Sequence, residues 1–193
     1  MSPSRFTAWS VMGGVVLSPA IVFCGAAVWF LWAGYTAGPL QTIDISASLT
    51  AHPSGAYVDL AGAARSGLMV DIDRKRFPGP PITYTYIPLF ADLTRHGTES
   101  PIVIRMFRDD AAPIMRDADA GRTSRVRGVL HAGVKGYARS PLVELGALLS
   151  PGAMTLDATE SPEDDIQFGW MIGAAGLMLQ AIVLGLMWWL SRD

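Results

Sequence analysis

Apolar and polar positions follow two regimes along this chain. From Phe6 to Ile43, 38 residues pass without an Asp, Glu, Lys or Arg, and from Ile166 to Ser191 another 26 do so. Between them the pattern shortens to runs of four to nine residues that alternate or are rich in β-branched side chains. A bilayer span needs roughly 20 apolar residues at 1.5 Å per residue. Both uncharged stretches exceed that. The first, about Phe6 to Tyr35, has about two turns to spare, which tilt or a kink at Pro19 would absorb. Trp9 lies near its start and Trp29, Trp32 and Tyr35 near its end, where interfacial aromatics belong. A secretory signal is the competing reading, but its apolar core would be far shorter. The second, about Phe168 to Leu190, is flanked by Trp170, Trp188 and Trp189. The expected plan is therefore an N-terminal transmembrane helix in 1–36, an extramembrane domain in 37–166 and a C-terminal transmembrane helix in 167–193.

The middle segment predicts strands. Ile43 to Leu49 alternates apolar and polar, as a half-buried strand does. Ala56–Leu60 and Leu68–Ile72 read as extended, and Phe77-Pro-Gly-Pro-Pro81 as a loop. Ile82–Phe90 and Pro101–Phe107 predict a β-hairpin, with Pro88 marking an edge or a bulge. Asp109 and Asp110 are expected to cap a short helix through Met115. Thr123–Leu130 is another strand. Ser140-Pro141 predicts a helix start that turns Leu142, Leu145 and Leu149 inward, and Met154–Leu156 is a last short strand before an acidic linker, Glu160–Asp165. Five to seven short strands with one or two helices fit a small mainly-β domain, either an OB-like barrel or an α+β sandwich.

Charge adds orientation. Arg5 precedes the first span and Arg192 follows the second, whereas the flanks at 36–53 and 160–165 hold no Lys or Arg. The positive-inside rule then places both termini in the cytoplasm and the domain outside. Arginine outnumbers lysine 13 to 2, a composition associated with GC-rich bacteria, so the expected location is a bacterial inner membrane with a periplasmic domain. The one cysteine, Cys24, falls in the first apolar stretch, so the domain holds no disulfide. The domain carries 29 charged residues in roughly 130, near the soluble average of about 25%. No block of positive charge suggests nucleic acid.

Candidate chemistry is sparse. His52, His96 and His131 share no ligand-type spacing, so a metal-dependent hydrolase is the weakest of the readings. Asp71 and Asp73 beside Arg74-Lys-Arg76 read as a self-neutralising charged loop, and Asp117-Ala-Asp119-Ala-Gly121 lacks the rest of a calcium loop. No nucleophile elbow, phosphate loop or dinucleotide fingerprint is present, so neither catalysis nor a cofactor is expected. Candidate surfaces remain. Gly169, Gly173, Gly176 and Gln180 share one helical face that admits close approach of another helix. Ser10, Gly14 and Ser18 form a similar line in the first span, so the partner is either that helix or another chain. Arg125 and Arg127 point the same way on their strand, and Phe77 sits on the Pro-rich turn. The span–domain–span plan resembles that of assembly factors and accessory subunits of bacterial membrane complexes. The first expectation is a non-catalytic accessory or assembly subunit, of a respiratory or photosynthetic complex for example, with other membrane subunits and the lipid bilayer as partners. The alternative is a periplasmic ligand- or lipid-binding module using the mouth of the barrel.

Overall fold

A computed structural model of the chain describes residues 21–45, 54–75, 78–91 and 99–190. The chain divides into two compact units, Met1–Thr36 with Pro162–Asp193, and Ala37–Ser161.

The second unit is a small α+β domain. Its strands are β1 (Gln41–Asp44), β2 (Tyr57–Ala64), β3 (Val70–Arg74), β4 (Ile82–Phe90), β5 (Ser100–Phe107), β6 (Ser124–His131) and β7 (Leu149–Asp157). They form one mixed sheet in the order β1-β2-β6-β7-β5-β4-β3. The sheet also closes on itself, because Ala63 and Ala64 of β2 pair with Phe90 and Leu89 of β4. Five strands, β2-β6-β7-β5-β4, thus make a ring, with β1 and β3 added as short flanking strands. β1 runs parallel to β2 and β5 parallel to β7; the other pairs are antiparallel.

Alternation decides which side chains fill the ring. Val58, Leu60, Ile87, Leu89, Ile102, Ile104, Leu130 and Leu156 are all fully buried and belong to one cluster. A 3-10 turn (Arg108–Ala111) leads into α2 (Ala112–Asp119), whose Ile114 and Ala118 join that cluster. The opposite parity of β4 and β5 supplies Tyr86 and Val103 to a second cluster, packed against Ala138 and Leu142 of α3 (Gly136–Glu144). The ring is therefore filled by its own side chains and its outer face is partly roofed by α3.

The expected hairpin forms, with β4 and β5 paired from Tyr84↔Phe107 to Leu89↔Ile102. Pro88 occupies an edge-like gap. Its strand leaves β3 at Tyr86 and meets β2 only at Leu89, so the missing N–H falls where no second neighbour is paired. Three local expectations change. α3 begins at Gly136 after an extended Lys135 and carries Pro141 inside it, so Leu142 turns inward, Leu145 is exposed and Leu149 belongs to β7. The helix after β5 extends to Asp119, and neither Phe107 nor Ala111, its flanking residues, caps it with a side chain. The acidic stretch is no linker. A helix starts at Pro162 with Glu163, Asp164 and Asp165 in its first turn, where fixed φ and the helix dipole favour proline and acids.

That helix, α4 (Pro162–Leu190), is one of two among the described residues of the first unit. Its Pro162–Leu186 stretch has a mean hydropathy of 1.8 and is the one helix among the described residues long and apolar enough to cross a membrane. The other, α1, is described over Ile21–Thr36, apolar but shorter. The rest of the first expected span, with Ser10, Gly14 and Ser18, lies outside the described residues. The two helices run antiparallel. A side-chain carbon added at Gly169 would come 2.9 Å from Leu31 Cγ, at Gly173 3.5 Å from Ala27 Cβ, and at Gly176 2.7 Å from Phe23 Cβ. Gly34 of α1 is equally close to Pro162 and Ile166, and Phe30 meets Phe168 edge-on at 5.1 Å. The glycine face thus packs on the chain's own first helix, and Gln180, further along, is half-buried.

The helix pairing is directly testable. The 3.5 Å carbon separation at Ala27 and Gly173 matches the roughly 3.5–4.5 Å that a disulfide requires. In a Cys24→Ser background, Ala27→Cys with Gly173→Cys should crosslink within one chain on mild oxidation. Thiol labelling after denaturation reads the loss of both thiols. Retained thiols, or crosslinks only between chains, would refute the pairing.

Candidate functional site

The outer face of the ring carries a polar cleft of about 310 Å³ where β5, β6 and β7 meet the loop entering α3. Its floor is set by Asp157, the last residue of β7, with 1% of its surface exposed. A buried carboxylate is costly unless every oxygen is bonded. Here Arg105 Nη1 donates to Oδ2 at 2.5 Å, while the Thr159 backbone N–H and hydroxyl donate to Oδ1 at 3.1 and 2.6 Å. The second pair of bonds folds residues 157–159 into an Asx turn and carries Glu160 round to the rim.

Close backbone packing makes this turn specific. A side-chain carbon at Gly128 of β6 would collide with the Asp157 carbonyl and lie 2.9 Å from Ala158 Cα. Glycine is required there by proximity. The Ala158 N–H continues the ladder to the Arg105 carbonyl at 2.8 Å.

Arg105 is half-buried on β5, with its guanidinium 4.2 Å above the Tyr84 ring, which in turn stacks on Phe107 at 5.5 Å. Burial opposes its charge, but Asp157 together with Tyr84 and Tyr86 outweighs that, so its pKa is raised and the side chain stays cationic. Next to it, the Tyr86 hydroxyl reaches toward the Tyr137 hydroxyl at 3.4 Å. Burial first, and the contact with Tyr137 second, push the Tyr86 phenol well above its ordinary value, so it remains a proton donor. Arg74 covers the Tyr137 ring at 4.2 Å.

At the rim, His131 Nε2 lies 2.8 Å from Glu160 Oε2. The bond to Glu160 raises His131 above 6.5 against the opposing effect of burial, and the same bond lowers Glu160 below 4.5. His131, Asp157 and Glu160 offer ligand atoms within 4.8 Å of one another. Those residue types would suit a divalent cation. The surroundings do not, because Asp157 already accepts three hydrogen bonds, one from a guanidinium. What the geometry builds is a network of paired charges lined with hydroxyl groups, able to orient a polar ligand and to hold or release a proton on His131.

The sequence candidates are dispersed. His131 enters the cleft; His52, His96 and Phe77 lie outside the described residues. Asp71 and Asp73 sit on edge strand β3, not in a loop, and accept hydrogen bonds from Thr85 and Thr83, directly opposite, at 2.6 Å each. Asp117 and Asp119 are on α2, with Asp117 paired to Arg122 at 3.0 Å. Arg125 and Arg127 do share a face, as expected, but both turn to Asp59 on the neighbouring strand, at 3.6 and 3.2 Å. Missed altogether were Arg105, Tyr86, Lys135, Tyr137 and Asp157. The alternation of Tyr84 and Tyr86 was visible, but nothing in the sequence says that α3 would roof the outer face.

Two outcomes follow. Arg105→Met leaves the Asp157 carboxylate short of its cation and should destabilise the fold by about 3 kcal/mol, the lower end for a broken buried pair. Gly128→Ala should cost about 1–3 kcal/mol by overpacking. Denaturant unfolding of the full chain in detergent checks both, and a change within about 0.5 kcal/mol for either, ordinary for a surface substitution, would refute it. The rim pair has its own pH signature. The His131 contribution is complete below 6.5 and fades as pH rises through its raised pKa; that of Glu160 is complete above 4.5 and fades as pH falls through its lowered one. The stability gap between wild type and His131→Gln should therefore be widest between pH 4.5 and 6.5 and narrow on both sides, as read by thermal melts; a gap independent of pH would contradict it. No protein-family model matches the chain, and no curated protein is significantly similar to it.

Proposed function

We propose that this is a two-pass bacterial inner-membrane protein whose periplasmic domain is a non-catalytic binding module. The five-stranded closed ring fits an OB-like barrel, a scaffold that binds on its outer strands and loops. Support for two spans comes from the uncharged stretches and their aromatic ends, together with the glycine contacts between α1 and α4. Arg5 and Arg192 favour cytoplasmic termini. The observation that carries the binding reading is the cleft on β5, β6 and β7, where Arg105, His131, Tyr86 and Tyr137 converge on one opening. The cleft lies outside the filled core, so a polar ligand replaces the lipid considered from sequence.

The accessory-subunit reading is kept for one reason. Val143, Leu145 and Leu148 lie close together in sequence and are each at least 50% exposed, an apolar cluster of the kind found at protein contacts. The glycine face no longer argues for it, since α1 covers that face.

The two readings separate by thermal shift. Full-length protein in mild detergent, screened against small oxyanions, neutral sugars and divalent cations, should gain several degrees with one class. No response to any class, with a partner chain retained in fixed stoichiometry, would overturn the binding module in favour of the accessory subunit.

A further inference from the structure

Resting on the binding-module reading, we propose that the cleft takes a small oxyanion group, phosphate or carboxylate in type, which displaces Glu160 from His131. Size sets the first limit. At about 310 Å³ the cleft is at the lower end of the roughly 300–1,000 Å³ of small-molecule sites, so it accommodates a headgroup and not a chain.

Charge sets the second. Arg105, His131 and Lys135 line the cleft, and Arg74 stacks on Tyr137 at its side. Against them stand two carboxylates, Asp157 and Glu160. Asp157 has both oxygens engaged by Arg105 and Thr159 and sits at the floor. Among the residues lining the cleft the balance is one positive charge in excess with His131 protonated and none with it neutral, and Arg74 adds a further positive charge at its side, in a chain whose net charge is −2. A cation would meet that excess; an anion would relieve it.

Donors set the third. The hydroxyls of Tyr86 and Tyr137 stand 3.4 Å apart, a long contact that both can exchange for a shorter bond to an oxyanion. Lys135 is exposed and adds a flexible ammonium. Glu160, exposed on the far rim, then reads as an internal occupant: a carboxylate of the chain's own resting on the imidazole until a better-placed anion arrives. The charged groups facing His131 are Glu160, Asp157 and Arg105, Lys135 also lines the cleft, and protonation of the ring favours the incoming anion.

Inorganic phosphate is the probe, titrated by calorimetry at pH 6 into full-length protein in phosphatidylcholine nanodiscs. Wild type should bind. Lys135→Glu should weaken binding at least tenfold. Glu160→Gln, which removes the competing carboxylate, should tighten it at least threefold, a gain that misfolding cannot mimic. A parallel series in discs with added phosphatidylglycerol separates two sources of the same chemistry: a weakened response to free phosphate assigns a lipid headgroup, an unchanged one a free solute, and each supports an oxyanion site. No gain in Glu160→Gln, or no loss in Lys135→Glu, would overturn the proposal. Binding of sugars or divalent cations alone would overturn it while leaving the binding module standing, and silence toward every probe would remove both.

Discussion

A carboxylate with 1% of its surface exposed has to be matched in charge and in hydrogen bonds, and Asp157 imposes that requirement on its neighbours. It draws Arg105 across from β5, where the guanidinium settles over Tyr84. It folds Thr159 back on itself and so delivers Glu160 to His131. It also demands that Gly128 carry no side chain, because the carbonyl of Asp157 occupies that space. One buried charge therefore explains the position of a cation, a turn, a glycine and the rim of the cleft. Such an arrangement is weak support for stability and better support for specificity: it holds several polar groups in one geometry around an opening.

The ring makes this arrangement available. β5 and β7 run parallel and adjacent, so Arg105 and Asp157 fall directly opposite one another. β6 lies on the other side of β7 and ends at His131. Arg105, His131 and Asp157, from distant parts of the sequence, are thus brought to one cleft, while the strands' inward side chains pack an apolar interior.

Local pattern made much of the architecture legible. The 82–107 hairpin could be read from β-branched and aromatic runs, and both uncharged stretches from the absence of Asp, Glu, Lys and Arg. What stayed hidden was non-local. Ring closure depends on two pairs, Ala63↔Phe90 and Ala64↔Leu89, that no periodicity announces. The helix at 136–144 was misplaced because Ser140-Pro141 resembles a start signal, while the helix starts five residues earlier and packs Ala138 and Leu142 into the second cluster. The cleft was illegible for the same reason: Arg105, His131 and Asp157 are separated by at least 26 residues each and meet only through sheet order. Glu160 was read as part of a linker, although it forms the rim.

The glycine face is a different case. Its spacing was correctly seen, and the choice left open was between the chain's own first helix and another chain. Leu31, Ala27 and Phe23 of the first helix lie against Gly169, Gly173 and Gly176. The proposed function accordingly rests on the domain and its charged cleft.

The most direct measurement is an NMR titration of the His131 ring in the full chain, with and without phosphate. The account predicts a midpoint above 6.5 that phosphate shifts, because the incoming anion replaces Glu160 as the partner of the ring. A midpoint at or below 6.5 that phosphate leaves in place would contradict it.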